Sequence, residues 1–363
     1  MLVYFSFCLI IFWLIAHWHR NYLCVKRYSY LRRKTTQIID QYPQCNLYIN
    51  ETTGEIYPIE IIWEKTGART TFLIQDSHEQ YILPKPLRDN QQTILETIFS
   101  ASIIYNQLCI RLYDLKHRDN TVLLRTQRTM YYDSLVTNRN MDYLLNSDLS
   151  IRMMYEPGPA LSPLSESFLS NQIGFSGIIE SEDGVILLVQ RSKYVSTNQQ
   201  LFDCSVTASL KSQYALNQDS KSFTCENWVK AIEREIIDEL NLDSSITINF
   251  TTNDIIAFYR DLIEGGKPNF IFYLRINSDF ITLRKGLESA QRNNTNLVLQ
   301  DGFRFRGIYR KDFIDADITV AKVTVNTVCS NSCSKKKRES LFVSPQSSGV
   351  LQYIQKYLRG QEN

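Results

Sequence analysis

The sequence has no excess of charge of one sign. It contains 40 lysine and arginine residues and 38 aspartate and glutamate residues, which leaves a net charge of +2 at pH 7. Proteins that coat nucleic acid carry a positive field over a whole domain, so we do not expect a nucleic-acid polymer as a partner. A chain of 363 residues is long enough for two folded units and a membrane anchor. Its 44% of apolar residues is enough for a core.

Clustered cysteines are also missing. The eight cysteines are scattered along the chain, and only Cys329 and Cys333 lie close together. No histidine or second cysteine pair accompanies them, so the pattern of a zinc site is incomplete. This distribution favours reduced thiols in a cytosolic domain over a disulfide framework.

Charged residues are absent from Leu2 to Ala16, and the apolar run from Met1 to Trp18 has 18 residues. A transmembrane helix needs about 20. The alternative is a signal peptide, but the run has no basic segment before it and no small-residue cleavage site after it. Six basic residues follow before the first acidic residue, Asp40, and such a flank stays in the cytoplasm. We therefore predict a single-pass anchor with the rest of the chain in the cytoplasm.

Prolines and a change of pattern divide the remaining chain. Pro157, Gly158, Pro159 and Pro163 mark a linker. The predicted segments are an anchor (1–19), a basic juxtamembrane segment (20–40) with a helix from Tyr28 to Asp40, a small α+β region (41–156), the linker (157–166), a second α+β domain (167–325), and a C-terminal loop and helix (326–363).

Hydrophobic periodicity predicts the secondary structure. Near-helical spacing predicts a helix between Gln91 and Lys116, and Val122 to Val136 is predicted to be extended. Asp183-Gly184 between two apolar runs predicts a hairpin. The remaining predictions are strands over Gln172–Glu180, Val185–Arg191, Phe202–Leu210, Asp254–Arg260 and Asn269–Ile276, helices over Cys225–Leu240 and Val350–Leu358, and a loop over Ser330–Arg338.

Three acidic residues share one face of the predicted helix Cys225–Leu240. Glu235, Asp238 and Glu239 are spaced i, i+3 and i+4, so their carboxylates project together. Convergent carboxylates repel one another unless a cation lies between them, and hard oxygen ligands suit Mg²⁺ or Mn²⁺ bridging to phosphates. All three are candidate metal ligands, with Glu239 the catalytic candidate if the protein is a hydrolase. The alternative is an acidic face that only contacts solvent.

Two further pairs of residues are candidates for other roles. Glu226 and Arg234 are expected to pair and to stabilise the loop before the helix. Arg191 and Lys193, at the end of the predicted hairpin, are candidate phosphate ligands. The alternative for this second pair is a solvated strand end.

The segment from Glu226 to Leu242 resembles the Nudix box, G-x5-E-x7-R-E-U-x-E-E-x-G-U, in which U is apolar. The strand, hairpin, acidic helix and further strands follow the order of the Nudix α/β/α sandwich from about Phe168 to Val325. Ser220 and Asn241 stand where the box has glycine, and Val206 to Ser209 stand where Nudix hydrolases have a Gly-Gly pair for substrate approach. These departures weigh against catalysis more than against the fold. The matching residues are Glu226, Arg234, Glu235, Ile236, Asp238, Glu239 and Leu242.

An N-terminal transmembrane helix, a small α+β region and a Nudix-like sandwich together resemble the membrane-anchored Nudix effectors of CBASS antiviral systems. Their Nudix module is the SMODS-associated type. In that family a CD-NTase makes a cyclic nucleotide after phage infection, and the effector binds it, assembles and kills the cell through its membrane. The resemblance implies an inner-membrane effector that senses a cyclic nucleotide second messenger, forms oligomers and disrupts the membrane in abortive infection.

Two alternatives remain at this point. One is a membrane-tethered, Mg²⁺-dependent Nudix hydrolase of a nucleoside diphosphate derivative. The other is a scaffold without a ligand. The altered phosphate loop favours the effector, and the three carboxylates of the predicted helix favour the hydrolase.

Overall fold

The computed structural model describes residues 25–67, 69–102, 104–146, 148–242, 246–293, 304–329 and 332–362. The predicted anchor, residues 1–19, lies outside the described residues. In these ranges the chain is a mixed α+β fold with several sheets, which confirms the predicted class. No helix within them is long and apolar enough to cross a membrane.

The helices vary from single turns to five turns. The first, α1, covers residues 25–41 of the described chain. Two short 3-10 helices lie at Asn138–Asn140 and Thr252–Asp254. The other helices are α2 (Lys85–Ile98), α3 (Tyr131–Val136), α4 (Ile151–Tyr155), α5 (Ser212–Ala215), α6 (Cys225–Leu240), α7 (Phe280–Asn293), α8 (Arg310–Ile314) and α9 (Pro345–Glu362).

The strands form one large sheet and three small ones within the described residues. The strands are β1 (Leu47–Ile49), β2 (Ile56–Glu64), β3 (Thr71–Gln80), β4 (Leu108–Arg118), β5 (Thr121–Met130), β6 (Leu144–Asn146), β7 (Leu149–Ser150), β8 (Gly174–Glu180), β9 (Val185–Gln190), β10 (Phe202–Asp203), β11 (Val206–Ser209), β12 (Ile255–Asp261), β13 (Lys267–Arg275), β14 (Arg304–Tyr309), β15 (Asp317–Thr319), β16 (Lys322–Cys329) and β17 (Ser332–Phe342).

The large sheet has the order β1-β2-β12-β13-β8-β9-β10, with β11 beside β8 and β14 beside β9. Strands β8 and β13 are parallel, and the other pairs in the sheet are antiparallel. Strand β2 comes from the predicted small region and pairs with β12, which follows the predicted linker. The sheet therefore takes strands from both sides of residues 157–166.

Helices cover both faces of the large sheet. Because side chains alternate along a strand, Phe175 of β8 packs in one cluster with Trp228 of α6, whereas Ile178 packs in another with Ile354 of α9. Helix α7 lies on the same side as α6, and α8 lies with α9. The core is thus two apolar layers separated by the sheet.

A smaller sheet of order β3-β5-β4 packs beside α6 through an aromatic cluster. The ring of Phe72 in β3 lies 5.6 Å from that of Trp228, and Trp228 also lies 5.2 Å from Phe270 in the large sheet, both between centroids. Such edge-to-face contacts add to the stabilisation from burial. Trp228 therefore connects the two sheets.

Helix α6 covers the residues predicted for it. Thr224 precedes the helix, and its Oγ1 accepts a hydrogen bond from the Asn227 N–H at 3.2 Å, which satisfies one N-terminal donor. Asn241 ends the helix in the left-handed conformation, with φ of 47°, so asparagine serves where the Nudix box has glycine. Four buried apolar residues form the face toward the sheet, namely Trp228, Ile232, Ile236 and Leu240.

Three sequence predictions of secondary structure were wrong. The helix predicted from Gln91 to Lys116 is helix α2 followed by strand β4, because residues 108–118 pair with β5 and this tertiary pairing outweighs their spacing. The extended segment predicted to Val136 ends at Met130, where the Asp133 carboxylate accepts the Met130 N–H at 3.0 Å and α3 begins. The loop predicted from Ser330 to Arg338 is largely β17, which pairs with β16.

Helix α1, which confirms the helix predicted to lead away from the anchor, packs against the folded body. Tyr42, just after the helix, is fully buried, and its hydroxyl donates to the Glu156 carbonyl at 2.6 Å. On the helix itself, Lys34 forms an ion pair with Asp142 at 2.5 Å and Arg32 one with Glu55 at 3.2 Å. A displacement of α1 therefore has to break contacts with the body.

Candidate functional site

A cavity of about 410 Å³ lies at one end of the large sheet. Strands β8 and β13 begin there and the antiparallel strand β12 ends there, so Ser176, Asn269 and Tyr259 line the same space. Small-molecule sites in proteins measure roughly 300–1,000 Å³. The cavity is therefore large enough for a ligand rather than for a few water molecules.

The lining is rich in charged groups and phenol rings. It contains four basic residues, and each of them comes from a different segment of the chain. Four acidic residues and four tyrosines accompany them. The basic residues are Arg139, Arg191, Lys211 and Lys267, the acidic residues are Asp203, Glu239, Asp261 and Glu264, and the tyrosines are Tyr105, Tyr131, Tyr194 and Tyr259.

Lys267 is buried at the start of β13. Its ammonium donates to the Asn269 Oδ1 at 3.0 Å and lies 3.8 Å from a Glu264 carboxylate oxygen. Burial lowers the pKa of Lys267 to about 8, because a desolvated cation is disfavoured. Gly174 leaves room for this pair, since a Cβ at that position would lie 2.5 Å from the Lys267 Nζ.

Arg139 holds the loop of residues 191–201 against the cavity. Its guanidinium donates to the hydroxyls of Ser196 at 3.2 Å and Thr197 at 3.1 Å, and it lies 5.8 Å from the ring centroid of Tyr131. The Arg139 Nε is buried and has no hydrogen-bond partner in the described part of the chain. An unsatisfied buried N–H of a cation is a ready donor for an anionic ligand.

Arg191 lies at the beginning of the same loop, as predicted from the hairpin. Its Nη1 lies 3.6 Å from the Asp203 carboxylate, and its Nε donates to the Thr197 carbonyl at 3.2 Å. Lys193 is exposed, and its ammonium lies 4.9 Å from the ring centroid of Tyr194. The cavity wall thus includes Arg191, and phosphate binding by both residues stays a prediction.

The three predicted metal ligands of α6 have different surroundings. Glu235 is buried, and one carboxylate oxygen accepts a hydrogen bond from Lys211 at 2.8 Å. Asp238 accepts the Tyr214 hydroxyl at 2.9 Å and pairs with Arg234 at 3.1 Å. The predicted Mg²⁺ site stays a prediction. Within the described ranges, no group of three or more His, Cys, Asp or Glu residues is arranged to hold a metal ion.

Glu239, the candidate catalytic residue, lines the cavity and is half-buried. Burial raises the pKa of Glu239 to about 7, against the attraction of Lys211 and Arg191. No hydrogen bond or ion pair involves its carboxylate among the residues that the structure describes. Glu239 is therefore the member of the acidic face that is available to a ligand in the cavity.

The expected pair between Glu226 and Arg234 is replaced by two others. Glu226 forms an exposed ion pair with Lys230 at 2.5 Å, and Arg234 pairs with Asp238. Both pairs join residues i and i+4, which are neighbours on the surface of a helix. The correction follows from distance along the helix, since Glu226 and Arg234 are eight residues apart.

Three of the basic cavity residues, Arg139, Lys211 and Lys267, were missed from the sequence. Each lies in a different segment, so no local motif connects them. One signal existed for Lys267: it follows the Gly265-Gly266 turn and opens a strand that is apolar from Phe270 to Leu274. A lysine at such a strand start marks a sheet end, where ligand sites commonly lie.

Comparison with known proteins leaves the family of the chain open. No protein-family model matches it, and no curated protein matches it.

The pH dependence of the protein's stability tests the electrostatics of the cavity at Asp261. Burial and the neighbouring Glu264 raise the pKa of Asp261 to about 7, although Lys267 attracts its charge. Between about pH 4 and 7 the folded protein keeps a proton on Asp261 that the unfolded chain has released. The stability that the protonated Asp261 allows is therefore complete below pH 4 and is lost as the pH rises through 7.

Asp261→Asn should therefore be more stable than the wild type at pH 8 by about 4 kcal/mol, with no gain near pH 4. Asparagine keeps the Oδ1 that accepts the Ile263 N–H at 2.8 Å. Thermal melting of full-length protein at several pH values measures this. An equal shift at pH 4 and pH 8 would contradict it.

Proposed function

We propose that this protein is a membrane-anchored effector whose cavity receives a cyclic oligonucleotide second messenger. The observation that carries the proposal is the convergence of Arg139, Arg191, Lys211 and Lys267 on one cavity that also has four tyrosines. Arginine and lysine bind phosphate through charge-assisted hydrogen bonds, and aromatic rings stack on nucleobases. A cyclic oligonucleotide presents both groups in a small volume.

The distribution of charge supports a ligand with more than one phosphate. The positive charges of Lys211 and Arg191 both attract the Glu239 carboxylate. Those of Arg139 and Lys267 both attract the carboxylates of Asp261 and Glu264. The cations thus form two pairs in one cavity. A ligand that carries a phosphate at each of two points along its ring matches this arrangement.

The fold is compatible with a Nudix-like α/β/α sandwich. The large sheet has helices on both faces, and α6 carries the box residues from Glu226 to Glu239. On this proposal the sandwich serves as a receptor. The charged run that follows the apolar N-terminus supports an inner-membrane anchor with the body in the cytoplasm.

The 191–201 loop connects the cavity with α1. On the cavity side, Ser196 and Thr197 accept hydrogen bonds from Arg139, and on the other side the Gln199 carbonyl accepts one from Arg27 of α1 at 2.8 Å. A phosphate that takes over the Arg139 donors releases the loop hydroxyls. The loop and its contact with α1 then change together.

Such a contact gives the ligand a route to the membrane segment. A ligand shifts an equilibrium only if it binds one conformation better than the other. The state with a released loop makes the Arg139 donors available and is therefore favoured by the ligand. A single span cannot line a pore, because its backbone is already satisfied within the helix, so membrane damage requires oligomers of the released state.

The experiment is dye leakage from liposomes that contain the full-length protein. A panel of cyclic di- and trinucleotides is added, and one member is expected to cause leakage together with a larger oligomer by crosslinking. Protein-free liposomes with the same nucleotides are the control. The proposal is wrong if no member causes leakage or self-association.

Arg27→Ala should separate binding from leakage. The change removes the hydrogen bond to the Gln199 carbonyl but no residue of the cavity, so the released state is reached more easily and we expect at least fivefold more leakage without added ligand. Arg33→Ala is the matched control, since Arg33 is an exposed arginine of the same helix. Equal leakage by both variants would contradict the proposed route.

A second function, a tethered Nudix hydrolase, is favoured by one observation. The half-buried Glu239 carboxylate faces the cavity without a partner in the described chain, as a general base would. The test is release of a nucleoside monophosphate from a panel of diphosphate derivatives with Mg²⁺. Release that Glu239→Gln abolishes would establish the hydrolase.

A further inference from the structure

The acidic face of α6 already has a cation from outside the helix. The ammonium of Lys211 lies 2.8 Å from a Glu235 carboxylate oxygen, and the Glu235 side chain is only 1% exposed. The other oxygen of Glu235 is buried and has no hydrogen-bond partner in the described part of the chain. Lys211 therefore provides the charge that balances this buried carboxylate.

The backbone of Lys211 is fixed, so its side chain is directed toward α6 by the fold. Lys211 forms an antiparallel bridge with Cys109 beside β4. Its carbonyl also accepts the Ala215 N–H at 3.0 Å, which closes helix α5. Because contacts with both β4 and α5 fix its backbone, Lys211 stays beside the acidic face of α6.

The donor set does not fit a divalent ion. Two of the three carboxylates have a cationic partner, namely Glu235 with Lys211 and Asp238 with Arg234. An ion that approached Glu235 and Glu239 together would meet the Lys211 ammonium, whose charge interacts with both. Repulsion between cations at such distances is strong in a partly desolvated cavity.

We propose that Lys211 takes the place of the divalent ion at this acidic face and, together with Arg191, holds a phosphate group of the ligand without metal. The inference rests on the proposed function, since it assumes a phosphate-bearing ligand in the cavity. Lys211, Arg191 and Glu239 all line the same cavity, although they lie in three different segments of the chain. Lysine binds phosphate as a point charge, and arginine adds directed N–H donors.

The proposal gives the Glu235 carboxylate a role that needs no metal. Glu235 orients the Lys211 ammonium through one short hydrogen bond and leaves its remaining protons for the ligand, because an ammonium has three donors. Glu235 is thus a positioning residue. Its loss should weaken phosphate binding through Lys211 rather than through direct contact.

The test uses full-length protein in detergent and two probes. Mn²⁺ binding is followed by electron paramagnetic resonance, and pyrophosphate binding in EDTA is followed by calorimetry. Wild-type protein should bind pyrophosphate in EDTA and should show no Mn²⁺ binding that Glu235→Gln removes. Lys211→Met should lose at least tenfold in pyrophosphate affinity and gain Mn²⁺ binding, whereas Lys211→Arg should retain affinity within about threefold.

Lys230→Met is the matched control. It also removes a lysine from an ion pair on α6, but its partner Glu226 is exposed, so neither probe should respond. If Lys211→Met does not fold, the wild-type and Lys211→Arg titrations still decide the question. The inference is overturned if wild-type protein binds Mn²⁺ through Glu235, or if pyrophosphate does not bind in EDTA. Pyrophosphate binding without any response to cyclic oligonucleotides would instead reject the proposed function and retain the role of Lys211.

Discussion

Arg139→Ala is expected to weaken binding of the cognate cyclic oligonucleotide about 100-fold. Hydrogen bonds to charged groups contribute about 1.5–3 kcal/mol each, and 2.7 kcal/mol corresponds to 100-fold in affinity. Arg139 has an unsatisfied buried Nε and two hydroxyl acceptors that a phosphate can replace. Alanine removes all of these donors at once.

The matched control for this change is Arg88→Ala. Arg88 is an exposed arginine of α2 and does not line the cavity, so its loss should change affinity less than threefold. Arg139→Lys restores the charge but not the fork of donors, so an intermediate affinity is expected. Equal affinities of the Arg139→Ala and Arg88→Ala proteins would exclude Arg139 from the ligand site.

The second large effect concerns stability rather than binding. The side chain of Asp76 in β3 is only 8% exposed. It accepts hydrogen bonds from Arg128 of β5 at 2.6 and 2.7 Å, from the Thr126 hydroxyl at 2.7 Å and from the Phe223 N–H at 2.8 Å. Burial by itself would raise the pKa of Asp76, but these hydrogen bonds outweigh it and lower the pKa. Asp76 thereby joins the small sheet to the loop that precedes α6.

Asp76→Ala should destabilise the protein by about 3–5 kcal/mol, because it leaves the buried Arg128 guanidinium without its counter-charge. Asp89→Ala is the control. It breaks a 2.5 Å pair with Lys85 in which both side chains are more than half exposed, so the expected loss is below about 1 kcal/mol. Urea unfolding followed by tryptophan fluorescence measures both, since Trp228 lies next to this junction. Similar losses for the two variants would refute the role of Asp76.

Local patterns predicted the elements that local chemistry determines. Helix α6 was predicted over its observed residues. The features that determine it, namely the N-cap threonine, apolar residues every three to four positions and the asparagine end, all lie within one segment. The turn of Ser181 to Gly184 followed from Asp183-Gly184, and Gly184 has the left-handed φ of 76° that this turn needs.

Long-range pairing decided the elements that were predicted wrongly. Residues 108–118 have apolar spacing close to that of a helix, yet they pair with β5 along their length. The lysine-rich residues 335–338 form part of a strand because β16 provides a partner, although their composition is typical of a loop. No window of sequence contains these partners.

Only the part of the site that lies on helix α6 was predicted from the sequence. The carboxylates of α6 follow one another at helical spacing, so their common face was evident from the sequence. The cations opposite them come from the 138–140 turn, the end of β9, the end of β11 and the start of β13. Only the folded sheet brings them together, and the pairing of Lys211 with Glu235 could not be predicted from a separation of 24 residues.

The central claim is that the cavity binds a cyclic oligonucleotide, and equilibrium binding tests it most directly. Labelled cyclic di- and trinucleotides are titrated against full-length protein in detergent with EDTA present. The account predicts that one member binds with a dissociation constant in the micromolar range or below, and that Arg139→Ala weakens this binding about 100-fold. It is contradicted if no cyclic member binds while a linear nucleoside diphosphate derivative binds or is hydrolysed in the presence of Mg²⁺.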